Sequence, residues 1–200
     1  MRKIEISPAY CAMICMIAWA DISIAICFFI AVVVHEMGHL AAAFLCKVGV
    51  ESIRFRICGA VIQARSMSYR QEIIVASAGP AVSLLTAYLF HKVNATYFII
   101  SALLAATNLL PIYPLDGGRI LKSALMMCIS PTSVQLIMKV ISFLVCSALM
   151  FAACWYAAVC QTGIWPIFAV LIVLIRFWES TCTEFGIQNH SCFSSRKKIQ

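Results

Sequence analysis

Charged residues are scarce in this sequence. Its 200 residues include 15 Lys and Arg and 8 Asp and Glu, whereas 63% are hydrophobic, against roughly 45–50% in ordinary soluble domains. The mean hydropathy is +0.96. This composition excludes a soluble globular domain, because several stretches are apolar enough to require hydrocarbon as their solvent. The sequence therefore predicts an all-α polytopic membrane protein.

The sequence also lacks the features of a disulfide-bonded or nucleic-acid-binding protein. It has 11 cysteines, an odd number, with no Cys-x-x-Cys pair, and most of them lie in apolar runs. In the tail, Cys182, His190 and Cys192 are too loosely spaced for a zinc motif. The net charge of +7 does not indicate a nucleic-acid partner, because the basic residues occupy short gaps between apolar runs.

Six apolar runs predict about six transmembrane helices, with an intramembrane domain over residues 1–178 and a short cytoplasmic tail over 179–200. The first run also matches a signal peptide, so cleavage after Ala18-Trp19-Ala20 is an open alternative. The runs cover residues 9–20, 22–46, 72–90, 96–113, 133–160 and 164–178.

The basic residues predict the orientation. With six spans, the amino terminus, the 47–71 and 114–132 loops and the carboxyl tail share one side of the membrane. Lys92 is the one Lys or Arg assigned to the other side. By the positive-inside rule, both termini are expected to be cytoplasmic.

The segment Val50–Ala64 predicts a small β-hairpin at the membrane surface between the second and third spans. Apolar Ile53, Phe55 and Ile57 alternate with polar residues, and Cys58-Gly59 offers a turn. The alternative is an irregular loop held at anionic headgroups by its arginines. If the hairpin forms, an extended substrate segment can pair with it by strand addition.

The second run contains His35-Glu36-x-x-His39, the strongest chemical signal in the sequence. Histidines four positions apart share one helical face, so both imidazoles can reach one zinc ion, and Glu36 can act beside a metal-bound water. Ionisable groups inside a spanning helix are costly unless they face a cavity, a metal or one another. A structural His/Glu hydrogen-bond cluster is the alternative.

A two-histidine zinc site requires a third protein ligand, and Asp116 is the best candidate. His39 lies about 12 Å of helix before Lys47, and Asp116 follows the fourth run on the same side, so both reach similar depths. Pro111 and Pro114 interrupt the helix, and the Gly pair after Asp116 permits a sharp turn. A plain turn-forming Asp-Gly is the alternative. Arg119 either orients the Asp116 carboxylate or extends to the headgroups.

These motifs resemble the site-2 protease family of intramembrane zinc metalloproteases. The resemblance rests on the His-Glu-x-x-His helix, Ser77-Ala78-Gly79-Pro80 and the segment from Asn108 to Gly118, which is most similar to stage IV sporulation protein FB and its relatives. It implies zinc binding by His35, His39 and Asp116, and peptide-bond hydrolysis near the membrane with Glu36 as acid/base.

The same resemblance implies that Asn108 places the substrate or the oxyanion; a buried amide satisfied by nearby backbone is its alternative. It also suggests a sigma-factor precursor as substrate and a bacterial cytoplasmic or forespore-surrounding membrane as location. Two departures stand out. Cys58-Gly59-Ala60 replaces a frequent Gly pair, and a regulatory domain after the last span is not expected, because 22 residues follow Trp178.

The sequence thus favours a zinc endopeptidase acting on a membrane-associated protein, with the bilayer and a membrane regulatory partner as further contacts. A metal-ion transporter is an alternative, since buried histidines and carboxylates also mark ion pathways. A catalytically silent scaffold is another, although it would have no need of the general base Glu36. The oligomeric state is not predicted.

Overall fold

The computed structural model describes residues 4–6, 21–48, 50–56, 59–64 and 67–160, with side chains for 21–48 and 67–159. The first and last predicted spans, residues 9–20 and 164–178, and the tail lie outside the described residues. The described part is mainly helical. Its five helices are α1 (Ile22–Leu45), α2 (Tyr69–Phe90), α3 (Ala95–Asn108), α4 (Asp116–Met126) and α5 (Pro131–Cys160).

Three of these helices, α1, α2 and α5, are long and apolar enough to cross a bilayer. Helix α3 is also apolar but has 14 residues. Large apolar side chains such as Phe44, Tyr88 and Phe151 are exposed on the outer surfaces of these helices. This distribution fits an integral membrane protein, because hydrocarbon rather than water solvates such surfaces.

Polar residues cap the ends of the apolar helices. The carboxylate of Asp21 accepts hydrogen bonds from the backbone N–H groups of Ser23 and Ile24 at the start of α1. Helix α2 begins after Ser68 with a capping box that includes Gln71, and the amide of Gln71 also donates to the carbonyl of Cys46. These bonds satisfy backbone groups that a helix end leaves without partners, and the last one joins the end of α1 to the start of α2.

Helix α2 lies at the centre of the described helices. It packs against α1, α3 and α4, and α1 also packs against α3. Gly38 of α1 approaches the backbone of Ala78 and Gly79 so closely that a Cβ at position 38 would lie 2.8 Å from the Ala78 carbonyl oxygen. Small residues at the crossing thus bring the backbones of α1 and α2 together, which is a common way for membrane helices to associate.

The segment 114–132, predicted to be a loop, contains the helix α4, and α3 ends at Asn108 rather than near Tyr113. The expected sharp turn at Gly117 and Gly118 is therefore wrong, since both residues lie in the first turn of α4. Both positions require glycine because neighbouring backbone packs closely against them. A Cβ on Gly117 would overlap the Leu109 carbonyl, and one on Gly118 would overlap the backbone of the residues just before Pro114.

In the described part of the chain, three strands form a small sheet in the order β1-β2-β3: β1 (Ile4–Ile6), β2 (Val50–Arg56) and β3 (Gly59–Ala64). β2 pairs antiparallel with β3, with Ile53 opposite Ile62, and parallel with β1. Residues 57–58, which connect β2 to β3, lie outside the described residues. The continuous β-hairpin and its location at the membrane surface stay predictions.

Candidate active site

Helix α1 carries both histidines of the His-Glu-x-x-His motif on its buried face. His35 and His39 are each 3% exposed, and their Nε2 atoms are 3.2 Å apart. The separation follows from the helix, because residues four positions apart lie one above the other on the same face. The two imidazoles therefore present neighbouring ligand atoms inside the helical core.

Asp116, the first residue of α4, brings a carboxylate to the same point. Its Oδ2 lies 3.2 Å from Nε2 of His35 and 3.2 Å from Nε2 of His39. Tetrahedral zinc with bonds of about 2.0–2.1 Å separates adjacent ligand atoms by about 3.3 Å. The three atoms thus have the spacing and chemistry of a zinc site with three protein ligands, which leaves one coordination position for water or substrate.

The outer nitrogens of the histidines support the same conclusion. Nδ1 of His39 lies 2.7 Å from the carbonyl oxygen of Val75, and a carbonyl only accepts, so Nδ1 carries the proton. The Nε2 lone pair of His39 therefore points into the cluster. Nδ1 of His35 lies 2.9 Å from Oγ of Ser83, which can accept the corresponding proton. Both contacts come from α2 and orient the rings for metal binding.

Gly79 makes room for the second histidine. The ring of His39 lies against the backbone at this position, and a Cβ there would overlap Nε2 and Cε1 of the imidazole. The close approach of α2 to α1 at Gly79 therefore has a specific physical basis. A glycine at position 79 lets α2 approach the face of α1 that carries both histidines.

Asp116 has a second charged neighbour. Nη1 of Arg119 lies 3.6 Å from Oδ1 of Asp116, and Nε of Arg119 lies 3.6 Å from Oε1 of Glu72. The arginine therefore contacts the carboxylate, as one of the two sequence interpretations expected. Glu72 lies in the first turn of α2, and this ion pair connects it to Arg119 of α4.

The electrostatics favour an ionised Asp116, which lies outside the three candidate spans. Burial by itself raises the pKa of this carboxyl. When the imidazoles also carry a proton at Nε2, their hydrogen bonds to Asp116 and their charges outweigh burial and lower the pKa to about 2. Asp116 then carries a negative charge at neutral pH, which is the form that binds a metal ion.

The two residues predicted to be catalytic have different surroundings. Glu36 is buried on α1 between the two histidines in sequence. Asn108, the last residue of α3, is also largely buried, and its side-chain amide donates to the carbonyl of Leu104 at 2.9 Å. That bond is the one expected of an amide satisfied by nearby backbone, and a substrate role for Asn108 stays a prediction.

Sequence reasoning missed the two groups that hold the histidines, Ser83 and the carbonyl of Val75. A backbone carbonyl leaves no sequence signal. Ser83 does leave one, because it is a polar residue in an apolar run, four positions after Gly79. A serine in a membrane span requires a hydrogen-bond partner, and a search for that partner could have found His35.

The fold and the site define a class: membrane proteins that hold a His-Glu-x-x-His metal site among apolar helices. The sequence profile of Peptidase family M50 matches residues 23–97 and 90–152. The chain therefore belongs to Peptidase family M50.

Curated relatives share this part of the chain. A zinc metalloprotease of Methanocaldococcus jannaschii is 33% identical over 122 residues, which cover 54% of this chain and 35% of the relative. A Synechocystis protein, provisionally named a zinc metalloprotease, is 36% identical over 115 residues. The match covers 50% of this chain and 30% of the Synechocystis protein. The chain thus spans about a third of the length of these relatives.

A solved structure shares the fold. The site-2 protease from Methanocaldococcus jannaschii superposes with a TM-score of 0.61 at 21% sequence identity, covering 86% of this chain and 85% of that one. At this identity the likeness concerns the arrangement of the helices. It agrees with the helical architecture that surrounds the His-His-Asp cluster.

Proposed function

We propose that the protein is a zinc-dependent intramembrane endopeptidase. The observation that carries the proposal is the triangle of ligand atoms formed by His35, His39 and Asp116, with Glu36 on the same helix. Family membership and the names of the two curated relatives support the same activity.

In the proposed mechanism, bound zinc supplies Lewis-acid activation of a water molecule and of the scissile carbonyl. Glu36 accepts the proton of the attacking water and later delivers it to the leaving amine. Val75 and Ser83 hold the imidazoles in the tautomer that directs Nε2 to the metal. Asn108 places the substrate or the developing oxyanion by exchanging its bond to Leu104 for one to the substrate.

The proposed substrate is a membrane-associated protein cleaved near the cytoplasmic face. The positive-inside rule places Lys47 on that face, and the zinc ligand His39 precedes it by two turns of helix. The resemblance to stage IV sporulation protein FB supports a finer proposal, a sigma-factor precursor. Clearance of remnant membrane peptides is the other use of the same chemistry.

Strand addition is the proposed way to hold an unwound substrate. Helical peptide bonds shield their carbonyls, so the cleaved segment has to become extended. Among the described strands, β2 has a neighbour on each side, so the outer edges of β1 and β3 are the candidates for pairing. Proline at Val61 and proline at Ile62 remove successive N–H groups of β3, one of which faces the outer edge. Unchanged cleavage by both variants would exclude pairing at β3.

Glu36→Gln is the direct test of the activity. Wild type and variant are co-expressed at equal levels with a panel of single-span and sigma-precursor reporters, and zinc is measured in both purified proteins. We expect Glu36→Gln to lower cleavage by about 10²–10⁴-fold while keeping zinc, because Glu36 transfers protons but is not a ligand. Met37→Leu, at the exposed neighbouring position, is the matched control and keeps full cleavage.

Equal processing by wild type and Glu36→Gln would reject the assigned proton transfer. Zinc uptake into vesicles without any cleavage would instead favour a transporter, the main alternative class. The structure gives that class little support. Among the residues whose side chains are described, the buried acidic and imidazole groups form one cluster on α1 and α4, whereas an ion pathway would continue across the bilayer.

A further inference from the structure

We propose that Glu72 and Arg119 form a positioning pair that fixes Asp116 in its metal-binding orientation and thereby sets the zinc affinity of the site. The inference rests on the proposed function, since it concerns the zinc ligand Asp116. It adds a role for two residues outside the His-Glu-x-x-His motif and the ligand set.

The two oxygens of Asp116 face different partners. Oδ2 lies 3.2 Å from both histidine Nε2 atoms, whereas Oδ1 lies 3.6 Å from Nη1 of Arg119. A different Asp116 side-chain rotamer, which turns the whole carboxylate away, would remove both sets of contacts together. The guanidinium therefore favours the rotamer in which Oδ2 alone is presented to the metal.

The position of Arg119 next to Asp116 follows from its spacing along α4. Arg119 follows Asp116 by three residues on α4, so both side chains lie on one helical face. Its side chain is 19% exposed, which limits competition from water. A guanidinium also keeps its charge at any physiological pH and presents several N–H donors in one plane, so it can contact two carboxylates at once.

Glu72 supplies the second carboxylate and connects the arginine to α2. Oε1 of Glu72 lies 3.6 Å from Nε of Arg119, while Nη1 of the same guanidinium faces Asp116. The arginine thus bridges two acidic residues on two helices. Without Glu72, the guanidinium could move toward solvent or headgroups and release Asp116.

The first turn of α2 holds Glu72 in place. Next to Glu72, Gln71 accepts from the backbone N–H of Ser68 and donates to the carbonyl of Cys46 at 3.1 Å. These bonds join the start of α2 to the end of α1, the helix that carries both histidines. All three zinc ligands are therefore oriented by residues of α2: His35 by Ser83, His39 by Val75, and Asp116 by Glu72 through Arg119.

The inference predicts a change in metal affinity. Removing an outer hydrogen-bond partner of a metal ligand costs typically 10–100-fold in affinity. We expect Arg119→Gln to weaken zinc binding by about 10-fold or more. Arg119→Lys, which keeps the charge but loses the planar donors, should fall between this variant and wild type.

Glu72→Gln should weaken zinc binding by a smaller factor, because Arg119 remains present but less ordered. In the double variant the effect of Glu72→Gln should vanish, since Glu72 acts only through Arg119. Arg70→Gln is the matched control: Arg70 is an exposed cation in the same helical turn, and its loss should leave the affinity unchanged.

The measurement is zinc binding by the full chain in detergent or nanodiscs, in competition with a chromogenic chelator. The visible spectrum of the Co²⁺-loaded protein provides a second readout, because a change in the orientation of the carboxylate alters the ligand field, whereas a general loss of stability does not. Thermal unfolding in the absence of metal identifies variants that fail to fold. If Arg119→Gln fails to fold, Arg119→Lys and Glu72→Gln test the inference in its place.

Three results would overturn the inference. The first is an Arg119→Gln affinity within twofold of wild type with an unchanged Co²⁺ spectrum. The second is an effect of Glu72→Gln that persists at full size without Arg119. The third is an equal loss of affinity in Arg70→Gln, which would indicate an effect of charge alone. Absence of zinc binding by wild type itself would reject the proposed function instead.

Discussion

Gly79 lies directly against the imidazole of His39, so closely that the space of a Cβ at position 79 is occupied by the ring. The contact joins α2 to the face of α1 that carries His35 and His39. It explains a glycine in the interior of a membrane helix, where it otherwise reduces helix stability by about 1 kcal/mol relative to alanine. Here packing, not backbone flexibility, accounts for the glycine.

Gly79→Ala should therefore impair the metal site. The added methyl group would displace the ring of His39 or separate α1 from α2, and either change moves Nε2 away from Asp116 Oδ2. We expect zinc affinity to fall by about tenfold or more, with a parallel loss of cleavage. The checks are zinc content after dialysis and cleavage of a reporter.

Ala81→Val is the control for added bulk on α2. Position 81 lies on the exposed side of the same helix, two residues after Gly79, so extra methyl groups meet no metal ligand. Zinc binding by this variant should match wild type. If Gly79→Ala retained normal zinc affinity, the close contact with His39 would not constrain the site.

Ser83→Ala tests the orientation of the other histidine. The substitution removes the only described side-chain partner of His35 Nδ1, 2.9 Å away, while leaving His35 itself in place. We expect zinc affinity to fall by about 10-fold, with a smaller effect on folding. Zinc competition and thermal unfolding, measured on the same preparation, separate the two effects.

Ser101→Ala is the matched control for that prediction. Ser101 is also fully buried, and its hydroxyl donates to the backbone carbonyl of Ser83 at 3.0 Å without reaching a histidine. Both substitutions remove one buried hydroxyl, worth about 1 kcal/mol of stability. Equal zinc affinities for the two variants would contradict the role given to Ser83.

The structure brings together the three candidate metal ligands that the sequence could indicate. His35 and His39 were predictable because the helical period determines their relative position once the run is assigned as a helix. Asp116 was predictable from the expected topology, in which the order of the spans places it on the same side as the histidines and at a similar depth. Both arguments need only sequence separation and orientation.

The segment around Asp116 was less predictable. Residues 116–126 combine Asp116, Arg119 and Lys122 with a few apolar positions, so a search for long apolar runs passes over α4. Its two glycines resemble a turn signal, yet both serve close packing with the chain before Pro114. Propensity and hydropathy describe single segments, whereas these glycines are required by a contact between segments.

The groups that orient the ligands were the least predictable. The carbonyl of Val75 has no side-chain signature, and the bridge from Glu72 through Arg119 to Asp116 depends on how α2 and α4 pack. The sequence left two interpretations of Arg119, a contact with Asp116 or an extension to the headgroups. Only the relative placement of the helices selects between them.

Metal removal should destabilise the fold as well as the activity. The ligands come from α1 and α4, and an unfolded chain holds no such arrangement, so zinc binds the folded state preferentially. At free zinc about 100 times the Kd, the expected stabilisation is about 2.7 kcal/mol. Adding a chelator should lower the Tm, and restoring zinc should raise it again.

Asp116→Asn should reduce this zinc dependence of the Tm strongly, whereas Glu36→Gln should keep it, because Glu36 is not a ligand. The opposite pattern, with zinc stabilisation kept in Asp116→Asn and lost in Glu36→Gln, would exchange the roles of these two carboxylates.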